Sequence, residues 1–390
     1  MVSPFQFAKI PAIYFKSGII ARLPEFVKKH GSRLIIVTGI RSFLETFQAE
    51  RLFADLKKDG AVWKHISIGS EPTPELIDNA VSQTADLKPD LVVGIGGGSV
   101  LDAGKAVSAM LYMNDSVKEF LEVTGTKTHP GTKIPYIAVP TTSGTGSEAT
   151  KNAVISKTGP DGFKRSLRHD NFVPEIALVD PELSIGCPPG ITAASGMDCF
   201  TQLTEAFLSD KSNSYTDALA FEGLKAIKSS LLRSCKDGND REARAGMSFA
   251  ALTSGICLAN AGLGVVHGFA SSMGARYDIP HGIICGTLMA SANEINIRIL
   301  RREKNNEALS KYASLGRLFL DRKEGSDAYF TDGFIDYLYM LSEEIKLPGL
   351  KSSGADEIDF NDIVKNTDCK NNPVKLSDEE LLEILLKRYF

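Results

Sequence analysis

Hydrophobic residues in the first half of the chain come in short continuous runs, each followed by a stretch with helical spacing. Apolar runs predict strands at Arg33–Thr38, Ala61–Ile68, Asp90–Ile95 and Ile134–Val139, with helices at Ser42–Lys58 and Thr73–Leu87 between them. A run without polar interruption, such as DLVVGI at 90–95, is typical of a strand buried on both faces of a parallel sheet. The strand–helix alternation predicts an open α/β sheet covered by helices on both faces.

After about Asp180 the hydrophobic period changes to that of helices. Helical spacing covers Thr192–Leu208, Thr216–Arg233 and Arg241–Asn260 and continues through most of the chain to Phe390, whereas Ser352–Pro373 is polar and predicts a loop with one short helix. We therefore expect an α/β domain at residues 1–185 and an all-α domain at 186–390, since 390 residues exceed what one core usually supports.

Composition and charge narrow the classes of partner. The formal net charge is −4 and no run of Lys or Arg occurs, which argues against a nucleic-acid binder. No stretch approaches 18 apolar residues, so we expect no membrane span, and the first ten residues do not have the pattern of a secretory signal. The six cysteines are scattered without a CxxC pair, which indicates buried thiols in a reducing compartment and predicts a cytoplasmic protein.

Two loops at predicted strand ends are rich in small residues. GIGGGSVLDAGKAV at Gly94–Val107 contains Gly97 and Gly98, and Ser99 is placed to cap the following helix, so that free N–H groups could face a phosphate. VPTTSGTGSEAT at Val139–Thr150 offers hydroxyl groups. Each loop alone could be a structural turn. Together, at neighbouring carboxyl ends of parallel strands, they predict a ligand crevice.

A third group of residues offers metal ligands. Asp198 and Gln202 are four residues apart in GMDCFTQLTEAF, a segment that we expect to open a helix, and His267 and His281 follow later in the chain. A carboxylate with imidazoles suits Zn²⁺ or Fe²⁺. Taken singly, each histidine could be a buried hydrogen-bonded imidazole and Asp198 a helix cap.

These segments resemble, in order and spacing, the signatures of the iron-containing (group III) alcohol dehydrogenase family. The resemblance rests on GGGSVLDAGKA, PTTSGTGSEAT, VDPEL at Val179–Leu183, GMDCFTQLTEAF, His267 with IPHG ending at Gly282, and the closing NNPVKLSDEELLEILLKRYF. It implies a dinucleotide-binding α/β domain joined to a helical metal-binding domain, the architecture also found in dehydroquinate synthase. Asp198, His267 and His281 carry over as catalytic metal ligands. The cofactor surface carries over as Gly97, Gly98, Ser99, Asp102, Thr141, Thr142, Thr145, Thr150, Lys164 and Leu183.

The chain departs from the family pattern at several positions. Gln202 stands where the family usually has a histidine ligand. Three roles stay open for it: its carbonyl oxygen could bind the metal as a fourth ligand, it could hold a metal-bound water, or the site could have three ligands only. Ser271 replaces another histidine near the nicotinamide, which removes a proton-transfer group and hints at a polar substrate. Gly39 stands where NAD-using relatives carry an acid, and Arg41 and Ser42 follow, which favours NADP(H) and adds Gly39 and Ser42 to the cofactor surface.

The resemblance therefore predicts a metal-dependent NAD(P)-linked alcohol dehydrogenase, or aldehyde reductase, for a small polar alcohol or aldehyde. It also implies a homodimer or a higher homo-oligomer. Two alternatives stay open on the sequence: a non-redox enzyme of the dehydroquinate synthase type, and a degenerate nucleotide-binding protein without catalysis.

Overall fold

A six-stranded parallel sheet forms the first half of the protein. The computed structural model describes residues 4–322 and 324–390. The strands of the sheet run in the order β1-β8-β5-β4-β2-β3, every neighbouring pair is parallel, and an antiparallel hairpin of β6 and β7 stands outside it. The strands are β1 (Ala12–Phe15), β2 (Arg33–Gly39), β3 (Val62–Ile68), β4 (Leu91–Gly96), β5 (Tyr136–Pro140), β6 (Asn152–Lys157), β7 (Phe163–Arg168) and β8 (Ile176–Val179).

Helices cover both faces of this sheet, as predicted. They are α1 (Leu23–Lys28), α2 (Phe47–Lys58), α3 (Pro74–Thr84) and α4 (Gly98–Met110). Alternate side chains of β2 serve the two faces: Ile35 and Val37 pack in one core with α3 and α4, and Leu34 and Ile36 in the other with α1 and α2. Full burial of each such side chain contributes roughly 2 kcal/mol, so the sheet is stabilised from both sides.

The predicted strands and the fold class are confirmed, with local corrections. Helix α2 begins at Phe47, five residues later than expected, because the Thr46 side chain caps it by accepting from the N–H of Ala49. The sequence pattern missed three features: β1, β8 and the β6–β7 hairpin. Strand β7 reads FKRSLR and shows no apolar run, whereas β1 (AIYF) and β8 (IALV) are apolar runs of only four residues.

The second half of the chain is helical. Its helices are α5 (Pro189–Leu208), α6 (Ser214–Lys236), α7 (Arg241–Ala261), α8 (Val265–Arg276), α9 (His281–Glu303), α10 (Asn306–Phe319), α11 (Asp327–Glu344), α12 (Phe360–Lys365) and α13 (Asp378–Leu386). The helix predicted over Thr192–Leu208 begins at Pro189, so the segment from Gly196 lies inside it and does not open it, and Asp198 lies in its middle and does not cap it. The polar segment 352–373 holds the short helix α12, as predicted.

One helical core holds this second half together. It collects side chains from α5 through α13, among them Phe200, Phe334 and Leu385. A small apolar cluster that includes Val179, Leu252 and Ile256 joins β8 to α7 and so connects the sheet to the helices. In the described residues no single helix is long and apolar enough to cross a membrane. Helices α7 and α8 have the necessary length and apolar composition only when they are counted together, and they are bent relative to each other by 98°.

Candidate active site

A large cleft runs between the carboxyl edge of the sheet and the helical half. It encloses about 2020 Å³, which exceeds the 300–1,000 Å³ or so of a typical small-ligand site. Strand β2 connects to β3 on one side and β4 connects to β5 on the other, so the glycine loop after β4 lies at the point where the strand order reverses. The predicted site residues that line this cleft are Gly97, Gly98, Ser99, Asp102, Thr142, Thr145, Thr150, Lys164, Asp198, Gln202, His267 and His281.

Four predicted cofactor residues lie outside the cleft walls. Gly39 ends β2, and Ser42 follows it three residues later. Thr141 donates its backbone N–H to the Gly96 carbonyl at 3.0 Å. Leu183 packs on the sheet core. Their roles stay predictions from the resemblance.

The glycine loop joins β4 to α4 in one step. Gly97 is the N-cap of α4, in extended conformation, and no side chain caps the helix. The expectation that Ser99 caps this helix is wrong, since Ser99 already lies in its first turn. A Cβ on Gly98 would come within 2.8 Å of both Thr145 Cγ2 and Oγ1, so glycine is needed where the two loops meet. The N–H groups of the first turn are thereby left open toward the cleft, an arrangement that suits a phosphate.

A buried lysine that sequence reasoning missed fixes the second loop to α4. Lys105 donates from Nζ to the carbonyl oxygens of Ser147 and Asn152 at 2.8 Å each, and to Thr150 Oγ1 at 3.0 Å. Burial lowers the pKa of Lys105 to about 8. Asp102 also holds this loop, because its carboxylate accepts from Ser147 Oγ and, at 3.0 Å, from the N–H of Val154.

The hairpin β6–β7 supplies the third side of the cleft. Lys164 on β7 donates to Glu71 Oε1 at 2.5 Å, and Ser156 on β6 donates to Glu71 Oε2 at 2.9 Å. The Lys164 ammonium group and the Glu71 carboxylate both line the cleft, where they form an ion pair.

The helical wall brings together the predicted metal ligands. Asp198 comes from α5 and His267 from α8, while His281 is the first residue of α9. A Cβ on Gly282 would collide with the Ala194 carbonyl oxygen, so this glycine lets α9 approach the backbone of α5. Asp198 Oδ1 then lies 3.3 Å from His267 Nε2 and 3.5 Å from His281 Nε2.

Glu205, a residue that sequence reasoning missed, orients His267. Its Oε2 lies 2.6 Å from His267 Nδ1, and its Oε1 accepts from the N–H of Val266 at 2.7 Å. A carboxylate on one ring nitrogen turns the other toward the ligand cluster, an arrangement common behind metal-binding histidines. Glu205 lies seven residues after Asp198, a helical spacing that could have signalled it.

Gln202 and Cys285 occupy the remaining sides of the cluster. The Gln202 amide donates from Nε2 to Asp198 Oδ2 at 3.3 Å, and its Oε1 accepts from Ser254 Oγ at 3.1 Å. Cys285, treated at the sequence level as one of several idle thiols, has its Sγ 3.7 Å from Nε2 of both His267 and His281. It lies four residues after His281 on α9, so the two side chains share a helix face.

Burial and neighbouring charges act in opposite directions on the pKa values of Asp198 and the two histidines. Burial opposes ionisation of Asp198, but His281 and His267 beside it lower its pKa to about 2. Burial lowers the pKa of His281 to about 4, although Asp198 acts the other way. Burial also opposes the charged form of His267, yet Cys285, Glu205 and Asp198 raise its pKa well above the usual value. Near pH 7 Asp198 is therefore anionic and His281 neutral, the forms that bind metals, whereas His267 is protonated and would release a proton on binding one.

The donor set fits a divalent transition metal. Ligand atoms of Asp198, His267, His281 and Cys285 all lie within 4.8 Å of one another, and three of these side chains are buried. Oxygen, nitrogen and sulfur donors converging in this way suit Zn²⁺ or Fe²⁺. His281 Nδ1 is buried without a hydrogen-bond partner in the described residues, so its Nε2 carries the only polar contacts of the ring.

Comparisons with known proteins agree with this architecture. The family model described as "Iron-containing alcohol dehydrogenase" matches residues 11–181, and the "Fe-containing alcohol dehydrogenase family, C-terminal" model matches residues 192–389. Long-chain-alcohol dehydrogenase 1 of Geobacillus thermodenitrificans is 34% identical over 68% of this chain and 67% of its own length. The NADPH-dependent butanol dehydrogenase of Clostridium saccharobutylicum is 28% identical over 97% of this chain and 96% of its own length.

A solved structure extends the match to three dimensions. Sulfoacetaldehyde reductase from Bifidobacterium kashiwanohense, in complex with NAD⁺, superposes with a TM-score of 0.85 at 26% identity and covers 99% of both chains. The relatives are dehydrogenases and reductases, and the dehydroquinate synthase and degenerate alternatives are not favoured. Matches to both halves and the metal-ligand cluster indicate an NAD(P)-dependent, metal-dependent oxidoreductase that acts on alcohols. The chain belongs to the iron-containing alcohol dehydrogenase family.

Proposed function

We propose that this chain interconverts a small polar aldehyde and its alcohol in the cleft, with a nicotinamide dinucleotide along the sheet wall and a metal on the helical wall. The observation that carries the proposal is that one cleft is lined both by the open first turn of α4 and by the cluster of Asp198, His267 and His281. A bound metal would polarise the substrate oxygen, while the nicotinamide would carry the hydride.

The residues on the sheet wall would bind and orient the dinucleotide. The N–H groups after Gly97 and the positive end of the α4 dipole suit a pyrophosphate. Thr142 and Thr145 add hydroxyl groups at the loop junction. Asp102 and Lys105 would act by holding the second loop in place, since the contacts of both are made to that loop and the adjoining start of β6.

The chain's own groups also limit how protons can move. Ser271 lines the cleft, but its hydroxyl donates to the His267 carbonyl at 2.9 Å. The hydroxyl groups of Ser272 and Thr367 are 2.8 Å apart and engage each other. Proton exchange with water through the open side of the cleft near His281, whose side chain is 25% exposed, therefore takes the place of the family histidine that Ser271 replaces.

NADP(H) is the coenzyme that the chain's own residues favour. The relatives of this chain include an NADPH-dependent enzyme and an enzyme solved with NAD⁺, so the choice of coenzyme varies within the family. Gly39 at the end of β2 brings no carboxylate to repel a 2′-phosphate, and Arg41 is exposed close to it.

In the Arg41→Ala variant we expect KM for NADPH to rise roughly tenfold with KM for NADH unchanged, because one charge-assisted hydrogen bond is lost. Arg51→Ala, which removes another exposed arginine, is the matched control. Equal KM changes for both coenzymes would contradict the assignment.

The remaining features of the proposal concern assembly and location. We propose that residues 1–185 and 186–390 form separate domains, because the cores of the sheet and the helices are distinct and α5 begins at Pro189. A homodimer or higher homo-oligomer and a cytoplasmic location stay predictions. The six cysteines are free, in keeping with a reducing compartment, and light scattering on the purified protein measures the assembly.

The deciding experiment combines metal analysis with a coenzyme-linked screen. Protein purified without chelators is assayed for NADPH and NADH oxidation with aldehydes of graded polarity, including butanal and sulfoacetaldehyde, before and after metal removal. We expect aldehyde-dependent oxidation of NADPH that falls on chelation and returns with metal. A metal-free protein with full activity, or no turnover with any aldehyde in either coenzyme, would overturn the proposal.

A further inference from the structure

We infer that the fourth metal ligand is the thiolate of Cys285 and that Gln202 is not a ligand. The inference rests on the proposed metal site, because it concerns which side chain completes that site. It changes the ligand set from the oxygen and nitrogen donors expected from the family to a set with one sulfur.

The spacing of the donor atoms supports this set. Bond lengths of about 2.0–2.3 Å place the donors of a tetrahedral zinc site about 3.3–3.6 Å apart. Asp198 Oδ1 is 3.3 Å and 3.5 Å from Nε2 of His267 and His281, and Cys285 Sγ is 3.7 Å from each of the same nitrogen atoms. The sulfur therefore lies at a ligand's distance from both imidazoles before any rearrangement.

The contacts of Gln202 indicate a different role. Its carbonyl oxygen, the only atom of the amide that binds metals well, is engaged by Ser254 Oγ at 3.1 Å. Its amide N–H donates to Asp198 Oδ2, the carboxylate oxygen that does not contact the histidines. Gln202 is thus a positioning residue that holds the Asp198 carboxylate, and the position left by the family's histidine is filled from α9.

A buried cysteine is ordinary in a protein core, so the surroundings of Cys285 must decide its role. The neighbouring thiol Cys199 is equally buried and follows Asp198 directly, yet it does not belong to the group of converging ligand atoms. Cys285 does belong to it, beside two imidazole nitrogens and a carboxylate. A thiolate with Asp198 also brings two negative charges to a divalent ion, which makes the site neutral and favours Zn²⁺ over Fe²⁺.

The test is optical and does not depend on turnover. The wild-type protein is stripped of metal, titrated with Co²⁺ and scanned for a near-ultraviolet sulfur-to-cobalt charge-transfer band. We expect one Co²⁺ per chain with that band. In Cys285→Ser the band should vanish, and affinity should fall roughly tenfold or more, since even loss of a residue behind a ligand costs about 10–100-fold.

Two matched variants separate the possible ligands. Cys199→Ser removes a buried thiol outside the cluster and should keep the band, and Gln202→Ala should keep it as well.

If Cys285→Ser does not fold, X-ray absorption of the zinc-loaded wild type must show one sulfur at about 2.3 Å. Stoichiometric Co²⁺ without the band, no Co²⁺ binding, or loss of metal in Gln202→Ala with metal retained in Cys285→Ser would overturn the inference. Aldehyde reduction by a protein without the charge-transfer band would overturn the Cys285 assignment and leave the proposed function standing. The band in a protein that reduces no aldehyde would support the Cys285 assignment and overturn the proposed function.

Discussion

The two walls of the cleft are built in different ways. On the sheet wall the site is mostly backbone: the first turn of α4 and small residues such as Gly98 and Thr145, all supplied by two short segments that follow adjacent strands. On the helical wall the site is made of side chains from α5, α8 and α9, held at their distances by the packing of those helices. A backbone site depends on a local run of residues, whereas a side-chain site can exchange one ligand position for another on a different helix.

The largest expected effect comes from removing the carboxylate at the centre of the helical wall. Asp198→Asn should abolish metal retention and lower kcat/KM on the order of a thousandfold, since a metal supplies several kcal/mol of charge stabilisation. Metal analysis and steady-state kinetics measure this, with binding of the dinucleotide followed by fluorescence. Dinucleotide affinity should be unchanged if the walls are independent. Asp336→Asn, at an exposed site on α11, is the control, and retained metal in Asp198→Asn would refute the assignment.

The converse change is made on the sheet wall. Gly98→Ala places a methyl group 2.8 Å from the Thr145 side chain, so one of the two loops must shift. Overpacking of this kind costs about 1–3 kcal/mol, which predicts roughly a tenfold or greater rise in KM for the coenzyme. Metal content, measured on the same preparation, should stay at the wild-type level. A variant that loses metal together with coenzyme affinity would show that the two walls are coupled.

A smaller effect is expected from the residue behind His267. Glu205→Gln keeps the side-chain volume but removes the charge next to Nδ1, so His267 becomes a weaker ligand and is less firmly oriented. Loss of such a partner lowers metal affinity about 10–100-fold. Competition with a chromophoric chelator gives the affinity, and Glu343→Gln on the exposed end of α11 is the matched control. Unchanged affinity would mean that the packing of α8 alone orients the histidine.

The smallest effect belongs to an ion pair of the sheet that is remote from both walls. Hydrogen bonds from Arg33 and from the N–H groups of Ser32 and Arg33 lower the pKa of Asp90 to about 2. A lowered pKa stabilises the fold above the unfolded value, near 4, and this contribution fades as the pH falls toward 2. Asp90→Asn should cost about 1 kcal/mol or less at pH 7, because the pair is partly exposed, and less at pH 3. Urea unfolding at both pH values measures it; a cost that grows toward low pH would contradict the sign.

The contrast between the walls also explains what the sequence could predict. Strands β4 and β5 and their loops follow from apolar runs that end in glycine or proline, so the sheet wall could be located from local pattern. Asp198, His267 and His281 could be found through the family resemblance and do converge. Cys285 could not, because nothing in its own segment shows that its sulfur meets a histidine from another helix.

Errors in local detail have equally physical causes. Ser99 lies two residues too late to cap α4, since the N-cap is Gly97. Strand β7 reads FKRSLR, with lysine and arginine facing the cleft, and its polar pattern hides a strand that pairs with β6 in an antiparallel hairpin. The first error is a local shift of the helix start, whereas the second arises because pairing with another strand decides the conformation of β7.

The position of β1 has a consequence for how the protein is made. This strand pairs with β8, and the N–H groups of Gly18 and Ile20 donate to Asp180, more than 150 residues later. During synthesis the backbone groups of β1 stay unpaired until β8 has been made, and the chain grows at roughly 5–20 residues per second. Contacts of such high sequence separation slow folding and leave a strand edge open to other chains. Chaperone demand and refolding yield should therefore depend on this early-to-late pairing more than on the active site.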